Sequence, residues 1–268
     1  MAQIPDELLR LSDIVRHVAK RELLPRFAQV TREFKADGSL VTAADHAAQN
    51  HLEAELAVGW PDLPLLGEET PLAEQERILR QHQAGFWCLD PLDGTSNFTA
   101  GVPFFAVSLA RVGVDGPDLG VVYDPLRDEC FAAAAGQGAW LNDQPLRVPM
   151  ADIPLKRALA VVDMKRLDAS LASRLAAHPP YGSQRNFGSC ALEWCWLADG
   201  RVHCYLHGGQ KLWDYAAGLL ILLEAGGHAE TLAGQPIRCD SLAPCSVLAA
   251  GNATLLADFR AMLAARRA

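Results

Sequence analysis

The segment Asp90-Pro91-Leu92-Asp93-Gly94-Thr95 constrains this chain more than any other stretch of it. It follows the apolar run Phe86-Trp87-Cys88-Leu89, which reads as a buried strand. Pro91 has no N–H to give to a ladder, so the chain is expected to turn at the strand's end. Asp93 lies close enough along the chain to Asp90 for both carboxylates to face one point. Gly94 permits a tight turn and the close approach of a ligand. Thr95, Ser96 and Asn97 are residues of the N-cap type, whose N–H groups can hold an anion. The segment thus offers carboxylates, the Leu92 carbonyl and an anion cradle, the oxygen donors that Mg²⁺ takes alongside a bound phosphate. Taken alone, it reads equally as an ordinary Asp-Pro and Asp-Gly turn.

Three more acid-bearing junctions stand where one element gives way to another. Gly67-Glu68-Glu69 follows Leu65-Leu66, Val41-Thr42-Ala43-Ala44-Asp45 opens a helical stretch, and Trp213-Asp214 precedes the apolar run Tyr215–Leu223. Singly, each reads as a helix cap or a solvated acid. Around them the spacing predicts a helix from Pro5 to Val30, a turn at 35–39 and a helix over Ala43–Val58. Strands are expected at Phe104–Val112, Leu119–Tyr123 and Glu129–Ala134, so this half is α+β in pattern. Pro145 to Pro154 holds three prolines and is the expected boundary between residues 1–150 and 151–268. Beyond it strand and helix alternate, α/β in pattern: Ala158–Val162, Ala169–Ala177, Ala191–Ala198, Val202–Leu206, Tyr215–Ala225, Ser246–Ala250 and a last helix. Glu224-Ala225-Gly226-Gly227 reads as a glycine-capped helix end.

Composition narrows the partners. The net charge of -8 and the lack of any Lys/Arg cluster disfavour a nucleic-acid surface. An acidic chain still binds phosphate esters where bound cations invert the local field. The seven cysteines include no Cys-x-x-Cys pair and read as reduced core thiols. Acids near the N-terminus do not suit a signal peptide, and no apolar run approaches a membrane span, so a cytoplasmic protein is expected.

Together the four acid-bearing junctions resemble the inositol monophosphatase family, part of the lithium-sensitive Mg²⁺-dependent phosphatase superfamily that includes fructose-1,6-bisphosphatases. The matching boxes are Asp37–Asp45, Gly67-Glu68-Glu69, Asp90–Phe98 and Trp213–Gly218 followed by Glu224–Gly227, in family order over nearly the whole chain. The resemblance implies a layered α-β-α-β-α sandwich, commonly a homodimer. It implies that Glu68, Asp90 and the Leu92 carbonyl hold one Mg²⁺, that Asp90, Asp93 and Asp214 hold a second, and that a weaker third lies near Glu68. Mn²⁺ is an expected substitute. Thr95, hydrogen-bonded to Asp45, would orient and deprotonate the attacking water, with the N–H groups of Gly94, Thr95 and Ser96 on the phosphate. Most ligands then fall in the first half, while Asp214 and the substrate-side loops fall in the second.

The resemblance thins on the substrate side. Family members that act on inositol phosphates commonly carry Glu where this chain has His207. His207 reads either as a polyol contact or as a partly exposed loop histidine, and the nearby Lys211 could favour a second anionic group. Phe187-Gly188-Ser189-Cys190-Ala191-Leu192 resembles the family's Gly-Ser-Ala-Ala box near the leaving group, with Cys190 read as a packing substitution lacking a basic partner. Arg185, Ser189, Cys190 and His207 are the candidate substrate contacts. The expected substrate is a small phosphate monoester, an inositol monophosphate or related polyol or sugar phosphate. A 3′(2′),5′-bisphosphate nucleotidase, a histidinol phosphatase and a non-catalytic regulatory binding protein are the competing readings.

Overall fold

The amphipathic N-terminal spacing forms α1 (Asp6–Val18), with Asp6 and Glu7 at its positive end. It stops well short of Val30. The chain widens into a π turn at Ala19–Leu23 and tightens to a 3-10 turn at Leu24–Arg26, where Pro25 has no N–H for the ladder. Val30 and the expected turn at 35–39 lie outside the described residues, which are 3–29, 33–34, 40–81, 84–149 and 153–265 of this computed structural model. Residues 150–152 of the expected boundary also lie outside them.

The two-residue strands β1 (Glu33–Phe34) and β2 (Leu40–Val41) pair antiparallel and lead into α2 (Ala43–Gly59). Next come β3 (Leu65–Gly67), α3 (Leu72–Gln81), β4 (Phe86–Asp93) and the short α4 (Thr95–Ala100). Strands β5 (Ala106–Gly113), β6 (Gly116–Asp124), β7 (Glu129–Ala134), β8 (Gly138–Leu141) and β9 (Gln144–Leu146) then meander antiparallel. They complete a seven-stranded sheet of order β3-β4-β5-β6-β7-β8-β9, in which β3 and β4 are parallel.

The second half runs β10 (Leu159–Asp163), α5 (Ala169–Ala177), β11 (Ser183–Arg185), α6 (Cys190–Ala198), β12 (Cys204–Gln210) and α7 (Leu212–Glu224). It ends with β13 (His228–Glu230), β14 (Cys245–Ala250) and α8 (Ala253–Ala265). Its sheet has the order β11-β10-β12-β14-β13, parallel across β11, β10 and β12 and antiparallel beyond.

Layering follows from which faces are apolar. Leu8, Leu11 and Val15 of α1 and Leu52 and Leu56 of α2 pack with Trp87, Leu89, Val107 and Tyr123 on one face of the larger sheet. Phe86, Cys88, Ala110 and Phe131 on its other face join Trp194 and Leu197 of α6 and Leu219 and Ile221 of α7. The same cluster takes in Val161, Tyr205 and Val247 of the smaller sheet, so α6 and α7 are the central layer. On the outer face Leu171, Leu175, Leu255 and Phe259 cover Val162, Leu206 and Leu248. The result is an α-β-α-β-α sandwich. It also explains the unbroken apolar run in β4, whose alternate residues enter two different cores.

Several elements differ from expectation. α3 is read past in the sequence because it buries little besides Gln75 and Ile78. β8, β9, β11 and β13 are too short to show a period. β12 continues through His207 to Gln210, with a register shift between those two residues, so His207 is a strand residue and not a loop one.

Candidate active site

The acid pair in β4 owes its geometry to a bulge. Side chains alternate faces along a strand, so residues three apart would point to opposite sides. Asp90 pairs with Ser108 and Asp93 with Ala106, so an extra residue stands on β4 where Pro91 cannot donate to the ladder. That residue reverses the alternation and brings both carboxylates to the same cavity. The strand therefore passes through the Pro91 position as a bulge and does not turn at Asp90, as the sequence suggests. Gly94 follows in the left-handed region at φ 94, with Phe104 and Gly188 carbonyl oxygens where a side chain would stand.

Each acid is anchored by its own local device. Asp90 Oδ1 accepts the Leu92 N–H at 2.9 Å. Asp93 Oδ2 accepts Ser189 Oγ at 2.6 Å and the Ala191 N–H at 2.7 Å, which ties β4 to the start of α6. Asp214 Oδ2 accepts the Lys211 N–H at 2.8 Å at the start of α7. In all three one oxygen is held by the fold, and the second is the one a ligand can use. Glu68 sits in a turn held by neighbours the sequence does not flag. Gln75 Nε2 donates to the Gly67 carbonyl at 2.8 Å, and the Glu69 N–H donates to Gln49 Oε1 at 3.2 Å.

Asp45 is reached through a helix cap. Thr42 and Asp45 form a capping box at the start of α2, the Thr42 N–H and Oγ1 both donating to Asp45 Oδ2. Its other oxygen, Oδ1, accepts Thr95 Oγ1 at 3.3 Å, and the same hydroxyl lies 3.1 Å from the Leu92 carbonyl. The Thr95–Asp45 contact expected from the resemblance is thus formed in the structure.

Glu68, Asp90, Leu92, Asp93, Gly94, Thr95, Ser96 and Asp214 line one cavity of about 710 Å³. Burial, reinforced by repulsion from Glu68, Asp93 and Asp214, pushes the Asp90 carboxyl well above the usual range. Burial and the nearby Asp93 and Glu68 charges do the same to Asp214. Burial raises Asp93 to about 6, against the donors from Ser189 and Ala191. Burial also raises Asp45. Acids crowded in this way, with an all-oxygen donor set, fit hard divalent cations, which would restore their charged forms. Among the described residues no three His, Cys, Asp or Glu side chains form a closed cage; the acids stand around the cavity.

The substrate-side candidates separate. Arg185 is not brought to the cavity: its guanidinium is exposed and folds back on Ser183 and Gln184. Ser189 is fully buried and holds Asp93, so it sits behind the cavity wall. Cys190 and His207 do line the cavity. His207 is buried, 3 % exposed, with Nε2 3.6 Å from Asp163 Oδ2, so the exposed-loop reading of this histidine is overturned. Cys190 Sγ has a basic neighbour the sequence did not reveal, His207 Nε2 at 4.0 Å. Burial and the charges of Asp214, Asp93 and Glu193 nonetheless push the thiol well up, so it stays protonated.

Sequence reasoning missed Asp163, Lys165, Arg166 and Asn186, which also line the cavity. For Asp163, Lys165 and Arg166 the signal was the one that marks Asp90, polar residues at the end of an apolar strand, whereas Asn186 follows the polar strand β11 and had none. Glu193 was missed as well; it accepts the Phe187 and Gly188 N–H groups, and burial raises it to about 7.

A family model described as the inositol monophosphatase family matches residues 7–264. The Nus factor SuhB of Xylella fastidiosa is 35% identical over 252 residues, covering 89% of this chain and 84% of that protein. A Thermotoga maritima IMPase structure superposes with a TM-score of 0.83 at 27% identity, over 97% of this chain and 96% of that one. An IMPase/NADP phosphatase complexed with Mg²⁺ and phosphate superposes with a TM-score of 0.79 at 25% identity, over 94% and 96%.

Proposed function

The chain belongs to the inositol monophosphatase family, and from that premise we propose that it is a Mg²⁺-dependent phosphomonoesterase acting on a small polyol or sugar phosphate. One observation carries this reading: the bulge in β4 turns Asp90 and Asp93 into the cavity that also holds Glu68, Asp214 and Thr95. In the proposed site Glu68, Asp90, Asp93, Asp214 and the Leu92 carbonyl hold the Mg²⁺. The ions supply the positive charge that makes water a nucleophile near neutral pH and neutralises the transferring phosphoryl group.

The chain's own groups do the rest. The Gly94, Thr95 and Ser96 N–H groups hold the phosphate oxygens and set the phosphorus in line with the incoming water. Thr95 Oγ1 accepts a water proton as its own proton passes to Asp45 Oδ1, 3.3 Å away. Burial has already made Asp45 more basic than an ordinary carboxylate, which helps it receive that proton. The new bond is between phosphorus and the water oxygen. The bond that breaks joins phosphorus to the ester oxygen, which leaves towards the His207 side of the cavity and takes a proton from a solvent water there, while Asp45 returns its own proton to solvent.

The test is release of inorganic phosphate from a panel of phosphate esters with Mg²⁺, with chelator, and with Li⁺. Asp93→Asn should abolish turnover and leave the circular dichroism spectrum unchanged, since an amide can still accept from Ser189 and Ala191. A variant that kept near wild-type Mg²⁺-dependent turnover would sink the assignment. The Xylella relative's name, a Nus factor, favours a second reading as a binding protein of the transcription machinery. Capture of such a partner by the chelated protein, with no ester hydrolysed, would select that reading.

A further inference from the structure

Glu193 lines the cavity, is 2 % exposed and has no part in the chemistry above. It lies in the first turn of α6, which Ser189 precedes as the N-cap. Burying such a charge is costly unless donors meet its lone pairs. Here they do. Glu193 Oε1 accepts the Phe187 N–H at 2.7 Å and the Gly188 N–H at 3.2 Å. The Tyr205 hydroxyl supplies a third donor, and the direction of that bond follows from its neighbours. Trp194 Nε1 can only donate, at 3.0 Å, to Gln210 Oε1, so Gln210 Nε2 donates to the Tyr205 oxygen. The tyrosine proton is then left for Glu193.

What Glu193 holds is the turn Phe187–Ser189. Asn97 Nδ2 donates to the Phe187 carbonyl at 2.7 Å, and so ties the turn to α4 as well. Gly188 is in the left-handed region at φ 80, and its carbonyl oxygen packs against Gly94 beside the phosphate cradle. Ser189 comes next, its hydroxyl donating to Asp93 Oδ2 at 2.6 Å, with the Ala191 N–H on the same oxygen at 2.7 Å. Both anchors of Asp93 therefore stand where this turn puts them. If the turn shifts, Asp93 rotates with it, and so does the oxygen it offers to a cation. A neutral side chain at 193 could accept the same N–H groups, but a carboxylate makes the bonds charge-assisted and roughly twice as strong.

We propose that Glu193 is a positioning residue for the metal: its buried charge fixes the Phe187–Ser189 turn, and through Ser189 and Ala191 it sets the Asp93 oxygen that takes Mg²⁺. This rests on the metal-dependent phosphatase reading. A partner that orients a metal ligand in this way contributes about 10- to 100-fold to metal affinity.

Calorimetric titration of the full chain with Mg²⁺ tests this without turnover. Glu193→Gln keeps the size of the side chain, removes its charge, and is expected to weaken the Mg²⁺ Kd about tenfold. Ser189→Ala should weaken it too. The double variant should lose less than the product of the single factors, because both changes act through one chain of bonds. With a phosphate ester, the Mg²⁺ concentration for half-maximal rate should rise by the factor seen in calorimetry, with the rate at saturating Mg²⁺ near the native one. An unchanged Kd in Glu193→Gln, with or without a lower Tm in chelator, would reduce the residue to a helix cap and overturn the proposal. Factors that multiply in the double variant would overturn it equally. In either case phosphate release by the native chain leaves the phosphatase reading standing. Weakened Mg²⁺ binding in variants of a chain that hydrolyses no ester supports the proposal, and that reading fails instead. Should Glu193→Gln not fold, Tyr205→Phe takes one donor from the same carboxylate and is read by the same titration. A weaker Kd there supports the proposal, and an equal one overturns it.

Discussion

Thr95 Oγ1 has one proton and two acceptors, Asp45 Oδ1 at 3.3 Å and the Leu92 carbonyl at 3.1 Å. Only the first is a base, so the hydroxyl must swing fully to Asp45 when it takes a proton from water. Thr95→Ala removes the relay and is expected to lower kcat by about 10²- to 10⁴-fold with little change in KM. Thr95→Ser keeps the oxygen and should retain most of the rate. Equal losses in the two variants, measured by steady-state phosphate release, would assign the residue a packing role. Asp45 was legible because it begins a helix just after an apolar strand. Its partnership with Thr95 came from the resemblance, since nothing in local spacing joins residues fifty positions apart. His207 was illegible in another way. Its burial depends on Asp163 and Cys190 meeting it from neighbouring elements, a tertiary fact that no stretch of sequence encodes.

At the scale of elements, strong periodicity was readable and short or two-sided elements were not. α2 and β7 follow their apolar spacing closely and α1 does so as far as Val18, whereas α3 hides behind a charged surface and β13 is three residues long. The bulge in β4 was half legible: Pro91 announces a break in the ladder, but whether the strand stops or bulges is decided by pairing with β5. The contact between α6 and α7 is a similar case. Gly218 lies in mid-helix, where alanine would normally gain about 1 kcal/mol of helix propensity. Here a Cβ would overlap Trp194 Cβ in the central layer. Overpacking a filled core costs about 1–3 kcal/mol, and Trp194 is fully buried with no room to yield. Packing should therefore win, and Gly218→Ala should lower stability by about 1–2 kcal/mol in urea denaturation. A gain in stability would show that the helices can separate freely.

For the whole molecule, the site joins the larger sheet to the central helical layer through groups that repel one another. Asp93 bridges β4 to α6 through Ser189 and Ala191, while Asp214 approaches the same cavity from α7. Burial without cations raises the pKa values of these acids in the folded state, Asp93 to about 6, Glu193 to about 7 and Asp90 and Asp214 well above the usual carboxylate range, with repulsion from neighbouring acids adding to Asp90 and Asp214. In the unfolded chain all four titrate near the ordinary value of about 4. Between those limits the metal-free native state binds more protons than the unfolded one, so its stability falls as pH rises through that window. For Asp93 alone the shift corresponds to on the order of 3 kcal/mol. Divalent cations should reverse this, because they bind the deprotonated carboxylates and stabilise the folded state by mass action, about 2.7 kcal/mol at a hundredfold excess over Kd. Thermal melts in chelator are therefore expected to give a Tm several degrees higher at pH 5.5 than at pH 8. Saturating Mg²⁺ should raise Tm more at pH 8 than at pH 5.5, narrowing or inverting the difference. A Tm in chelator that stays level or climbs between those pH values would mean that burial does not hold these acids above their ordinary pKa values in the folded protein. A Mg²⁺ shift of equal size at both pH values would mean that the cation binds elsewhere.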